Sequence, residues 1–143
     1  MIRTLATGLA IAALMGSAAF AETFEVRLLN KGDNGSMVFE PAALRIAVGD
    51  TVKFVPTDKG HNAESVKGMI PEGAASFAGR INEKIDVTLI EPGFYGIKCK
   101  PHWGMGMVMV IAVGDDPADA DSFLAGRMPK RAKARFEESL SGL

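Results

Sequence analysis

The stretch KCKPHWGMGMVMV, residues 98–110, holds the chain's only cysteine, one of its two histidines and three of its eight methionines. Cys99 and His102 have two residues between them, and Met105 and Met107 follow the histidine with two and four intervening residues. The second histidine, His61, stands upstream in KGHNAE. Taken singly, each has an ordinary role. A lone cysteine packs as a small hydrophobe, a histidine in a polar loop faces water, and alternating methionines line a strand. Taken together, one thiol, two imidazoles and a thioether are a donor set with its own chemistry. A thiolate and two imidazoles in a trigonal plane, with a weak axial thioether, make a blue-copper electron-transfer site. Zinc is less suited, because it favours further thiolate, imidazole or carboxylate ligands. Such a site lies between the preferences of copper(I) and copper(II), so an electron can come and go with little rearrangement. The spacing leaves Met105 and Met107 both open as the axial donor.

These donors need a scaffold that brings two distant loops together. Phe24, Val26 and Leu28 alternate with polar residues, as do Leu44, Ile46 and Val48, then Val52 and Phe54, then Ile85, Val87 and Leu89. This period of two marks strands with one face on a core. Tyr95, Ile97 and Cys99 share one face of a further strand, and residues 107–113 are continuously apolar, as in a central strand. Turn residues separate the runs at 30–35, 49–50, 56–60 and 91–93. Residues 58–83 lack a clean period and read as loop with room for one helical turn. Short strands with regular turns predict an antiparallel sandwich or barrel. Loops at one end of a sandwich would set His61 beside the Cys99 turn.

After Gly114 the pattern changes. Asp116-Pro117 reads as a helix start, and Met128, Ala132, Phe136 and Leu140 recur every fourth residue among Lys130, Arg131, Lys133 and Arg135. Two short amphipathic helices are expected against the β domain, with their basic side as a solvated face. At the other end, Met1-Ile-Arg3, an apolar run from Leu5 to Met15 and the small-x-small triplet Ala19-Phe20-Ala21 form the pattern of a cleaved export signal over residues 1–21. The run is too short to span a membrane. The predicted organisation is therefore a signal at 1–21, a β-sandwich at 22–114 and a helical extension at 115–143. The formal net charge of −1 gives no reason to expect nucleic acid. A single cysteine excludes an intramolecular disulfide, and a free thiol in an exported chain asks for a role such as metal binding.

The segment GFYGIKCKPHWGMGMVMVIAVGD resembles the copper loop of the cupredoxins, the small blue copper proteins. The GMGM wording, the KGHN loop and the helical tail are most similar to the pseudoazurin-like members, over essentially all of residues 22–143. The resemblance implies a mainly β, Greek-key sandwich with two short C-terminal helices and one copper held by His61, Cys99, His102 and Met107. It leaves Met105, which would fit a shorter amicyanin-like loop, at the surface. It further implies that Asn62 ties the two ligand loops together, and that Met37, Pro101 and Met105 frame the exposed edge of His102. Pro101 has no N–H to offer the thiolate, so an electron-rich sulfur and a lower potential are expected. Trp103 departs from the family pattern, where a different aromatic residue is expected. Lys31, Lys59, Lys98 and Lys100 would ring the patch and steer it to acidic partners.

The function so implied is a periplasmic, monomeric one-electron carrier without a membrane anchor. Its partners would be a copper nitrite reductase or another denitrification enzyme such as nitrous oxide reductase, with cytochromes c as donors. Two other classes compete. A redox enzyme would need more histidines for a second copper centre, and a Cys-His hydrolase lacks an evident oxyanion hole or orienting partner. A copper chaperone or storage protein would share the methionine-rich look, but one cysteine and two histidines suit redox better than transfer.

Overall fold

The computed structural model describes residues 20–115 and 119–143. The export signal at 1–21 falls almost wholly outside the described residues, as does the Asp116-Pro117 helix start. Among the described residues, eight strands form two sheets: β1 Thr23–Gly32, β2 Gly35–Glu40, β3 Ala43–Ile46, β4 Thr51–Pro56, β5 Glu64–Ser65, β6 Ile85–Thr88, β7 Gly93–Lys98 and β8 Val108–Val113. One sheet runs β2-β1-β4-β6 and the other β3-β8-β7-β5. The fold is mainly β, a two-sheet sandwich with short C-terminal helices.

The alternating residues face inward as their period requires. Val26, Leu28, Phe39, Ile46, Val52, Phe54, Tyr95, Ile97, Met109, Ile111 and Val113 form one buried cluster between the sheets. Tyr95 keeps its hydroxyl satisfied there by donating to the Glu91 carbonyl at 2.8 Å, which closes the turn before β7. The Leu44-Ile46-Val48 alternation stops one step early. β3 ends at Ile46, and Val48 lies in the following turn, 53 % exposed.

The expectation of an antiparallel sandwich needs correction. β1 pairs with β4 in parallel and β3 with β8 in parallel, alongside antiparallel β1–β2, β4–β6 and β7–β8 pairs. The chain crosses between sheets from β2 to β3 and back to β4, and such crossovers set strands side by side in the same direction. β2 itself was not anticipated: only Val38 and Phe39 are buried on it, so it lacks a clean alternation. In the 58–83 segment, among the described residues, there is no helical turn. It contains instead the two-residue β5, paired to β7, with a bridge from Glu64 to Ala78.

β8 is apolar throughout because both its faces are covered. Met109, Ile111 and Val113 face the sandwich, while Val108 and Val110 join Phe123, Ala132 and Phe136 in a second cluster. Those last residues belong to α1, Ala120–Phe123, and α2, Lys130–Ser141. Asp119 caps α1, accepting from the N–H groups of Asp121 and Ser122. Three residues of the stripe land on α2: Ala132 and Phe136 are fully buried and Leu140 packs beside them, while Met128, just before the helix, joins the same cluster.

Candidate metal centre

β7 delivers Cys99 to the open end of the sandwich, and a 3₁₀ segment, Lys100–Met105, turns the chain back into β8. This loop is closed at its neck. Cys99 N–H donates to the Met107 carbonyl at 2.9 Å, Met107 N–H to the His102 carbonyl at 3.1 Å, and His102 N–H to the Cys99 carbonyl at 3.1 Å. Proline at the start of the turn costs nothing, because its missing N–H would have had no helical acceptor. Gly106 ends the turn at φ 82°, a left-handed conformation that glycine adopts without strain.

The other loop follows β4. Gly60 N–H donates to Asn82 Oδ1 at 2.7 Å, and Asn82 N–H donates to the His61 carbonyl at 2.9 Å, so His61 is gripped from both sides. Asn62 joins the two loops, as the family resemblance implied. Its Oδ1 accepts the Lys100 N–H at 2.7 Å, and its Nδ2 donates to the Gly79 carbonyl at 3.1 Å. Asn62 is 3 % exposed, so these bonds have little competition from water.

Three donor atoms converge between the loops. His61 Nδ1 and His102 Nδ1 are 3.2 Å apart, Cys99 Sγ is 3.5 Å from His102 Nδ1, and it is 3.7 Å from His61 Nδ1. The point equidistant from all three lies about 2 Å from each, the length of a metal–imidazole bond. The tautomer fits as well. His61 Nε2–H donates to Asn30 Oδ1 at 2.7 Å, leaving the Nδ1 lone pair aimed into the triangle. Two imidazole nitrogens and one sulfur so placed could all reach a single metal ion. No carboxylate joins them: the cluster is His61, Cys99 and His102 alone among the described residues.

Burial tunes the donors. His61 and Cys99 have no exposed surface. Burial, with the neighbouring His102, lowers the His61 pKa below its ordinary value of 6.5, against a smaller opposing effect of Asp58. The ring thus stays neutral and ready to ligate. Burial pushes the Cys99 thiol up, while the backbone N–H groups of Asn62 and His102 act the other way. His102 is half-buried, beside exposed Pro101 and Met105.

The two methionines part by environment. Met107 is fully buried in the same cluster as Cys99, whereas Met105 is 41 % exposed. Lys31, Lys59 and Lys100 are exposed. Lys98 is occupied: its Nζ is 3.6 Å from Glu64 and 4.9 Å above the Trp103 ring. Trp103 also packs edge-on to Phe136, which gives the departure from the family pattern a structural place between the loop and α2. Two residues escaped the sequence reading. Asn30 carried no signal beyond its place in a polar turn region, and Arg135 was counted into a solvated basic face. Arg135 instead donates to backbone carbonyls beside the metal loop.

The profile of copper binding proteins of the plastocyanin/azurin family matches residues 26–114, which include all four expected ligands. The chain belongs to this family. Relatives that match it over most of its length include pseudoazurins. The chain is 52 % identical over 134 residues to the pseudoazurin of Paracoccus pantotrophus, covering 92 % of each chain. It is 48 % identical over 134 residues to a putative pseudoazurin of Rhizobium leguminosarum, covering 92 % of this chain and 88 % of that one. The refined crystal structure of pseudoazurin from Methylobacterium extorquens superposes with a TM-score of 0.80 at 38 % identity, over 84 % of this chain and 98 % of that one. As a member of the plastocyanin/azurin family the chain is a copper protein that carries electrons and is not an enzyme. Its cupredoxin fold is the one expected from the copper-loop resemblance.

Proposed function

We propose that His61 Nδ1, Cys99 Sγ and His102 Nδ1 would hold one copper ion, with the Met107 thioether as a further, weaker donor. The observation that carries this reading is the triangle of 3.2, 3.5 and 3.7 Å between the three donor atoms. Copper supplies a one-electron couple between Cu(II) and Cu(I). The chain supplies a cage that suits both states. Asn30 fixes the His61 ring, Asn62 locks loop to loop, and the Cys99–Met107 backbone bond closes the neck. With the donors held this way, little has to move when the charge changes, so the reorganisation cost of transfer stays low. His61 and Cys99 are fully buried, so an exchanging partner cannot reach them. That favours a carrier over a chaperone or storage protein.

The half-exposed His102 brings the centre to the surface, where Pro101 and Met105 offer an apolar contact. Exposed Lys31, Lys59 and Lys100 surround the loops that carry the ligands and suit an acidic partner face. Lys98 contributes less, being paired with Glu64. The carrier works in the periplasm after removal of residues 1–21, as a monomer. It takes electrons from cytochromes c and delivers them to a copper nitrite reductase or another denitrification enzyme such as nitrous oxide reductase. The support for location and partners is the export pattern and the likeness to pseudoazurins.

Purification of residues 22–143 with copper tests the reading. An intense visible blue colour that dithionite bleaches and air restores is expected. A colourless copper adduct, or preferential retention of zinc, would overturn it. Mixed in the absence of oxygen with a catalytic amount of copper nitrite reductase, the reduced protein should be oxidised to completion only when nitrite is present.

A further inference from the structure

Arg135 stands in the middle of α2, where the sequence places it among solvated basic residues, yet its guanidinium is turned inward. Its Nη1 donates to the Met37 carbonyl at 2.6 Å and to the Gly106 carbonyl at 3.2 Å, and its Nη2 donates to the Ser36 carbonyl at 2.8 Å. One planar fork thus binds two chain segments that are far apart in sequence. Met37 is held at φ 52°, a left-handed conformation that a methionine rarely adopts. Gly106 is the residue that leads into Met107. α2 also presses directly on Gly106: a Cβ there would lie 2.8 Å from the Arg131 carbonyl oxygen. Phe136, next to Arg135, packs edge-on to Trp103 in the same loop, at 6.2 Å between ring centroids.

We propose that Arg135 is a positioning residue of the metal centre: by joining the Met37 and Gly106 carbonyls, its guanidinium sets where the Gly106–Met107 peptide places the Met107 thioether. This rests on the assignment of Met107 as the axial donor. The physical reason is leverage. Met107 would be a weak donor, so the loop that carries it could set how closely its sulfur approaches. The Gly106 carbonyl, part of the peptide that joins Met107, is where α2 takes hold of the loop. A fork of fixed shape holds the segments at one separation, which a lysine ammonium, a compact charge on a flexible stem, cannot do.

The test compares the copper-loaded parent with Arg135→Lys, Arg135→Gln and Met107→Gln, reading the visible spectrum, the electron paramagnetic resonance and the reduction potential. Both Arg135 variants should change the ratio of the two sulfur-to-copper absorption bands in the same sense. They should also shift the relative affinity for Cu(II) and Cu(I) about threefold, which is about 28 mV for one electron. Spectra and potentials that superpose on the parent, with only a lowered melting temperature, would overturn the proposal. So would a shift in Arg135→Gln that Arg135→Lys restores, because that marks charge rather than position. If either variant fails to fold, Gly106→Ala gives the same lever from the other side. Its Cβ would push the loop off Arg131 and should move the bands, and an unmoved spectrum would count against the proposal. Met107→Gln separates the two readings. If it leaves the parent spectrum unchanged, the axial assignment falls and this inference falls with it. If it moves the spectrum and the Arg135 variants do not, only the inference falls.

Discussion

Replacing Asn62 with alanine removes a side chain that holds both ligand loops. Three bonds go: from Lys100 N–H at 2.7 Å, to the Gly79 carbonyl at 3.1 Å and to Glu64 Oε2 at 3.2 Å. Glu64 keeps its contact with Lys98 and loses little. The Lys100 N–H and the Gly79 carbonyl lose a partner next to a buried side chain, and each such loss costs ~1 kcal/mol or more. The total is about 2–3 kcal/mol, which for a domain of this size lowers the melting temperature of the metal-free protein by roughly 8–12 °C. Calorimetry on the metal-free protein measures this directly. Copper adds a second reading, because a ligand stabilises in proportion to its affinity for the folded state. With the loops no longer aligned in advance, the rise in melting temperature on adding copper should be smaller in Asn62→Ala than in the parent. A metal-free loss below about 0.5 kcal/mol, the size of an ordinary surface substitution, would refute the assignment of Asn62 as the tie. An unchanged copper increment would reduce its role to stability alone.

Other outcomes follow from the same geometry. Met107→Gln should shift the reduction potential and the visible spectrum, while Met105→Gln, at a half-exposed loop position, should leave both nearly unchanged; the reverse would identify Met105 as the axial donor. For the metal-free protein, the lowered pKa of His61 means that the unfolded chain takes up a proton first as pH falls below 6.5. Stability from this group is complete above that value and is lost as pH drops toward the folded pKa. The raised pKa of Cys99 acts at the other end, with stability falling as pH climbs past the thiol's ordinary 9.0. Denaturant melts across pH should therefore show a plateau between the two, and His61→Gln should flatten the acid limb; a limb unchanged in that variant would refute the cause. Lys59→Glu or Lys100→Glu should slow association with an acidic redox partner severalfold at low salt and weaken its salt dependence, measured by stopped-flow mixing. An unaffected rate would remove these lysines from the docking surface.

The chemistry was legible early because donor identity is local. One thiol, two imidazoles and a run of methionines are visible as residue types, and the strand period of two is visible as alternation. Even the stripe of Met128, Ala132, Phe136 and Leu140 announced α2, since a helix must bury one face. The elements that were misread are those whose signal is nonlocal. β2 buries only two adjacent residues, and its strand state is set by ten-residue β1 beside it. The parallel pairs depend on which sheet the chain enters after each turn, which no single segment records. Val48 continues an apolar alternation into a turn where nothing covers it.

At the metal centre the same division holds. Sequence alone determined which atoms could bind a metal, that they lie in two loops, and that copper suits them better than zinc. Only the tertiary structure decided their separations, the tautomer that Asn30 imposes on His61, and the burial that divides Met107 from Met105. Only it turned Lys98 onto Glu64 and Trp103, and Arg135 away from water onto the carbonyls of Met37 and Gly106. Residue type is a property of one position. A triangle of three donors about 3.5 Å apart is a property of two loops 38 residues apart, and only the folded sandwich brings them face to face.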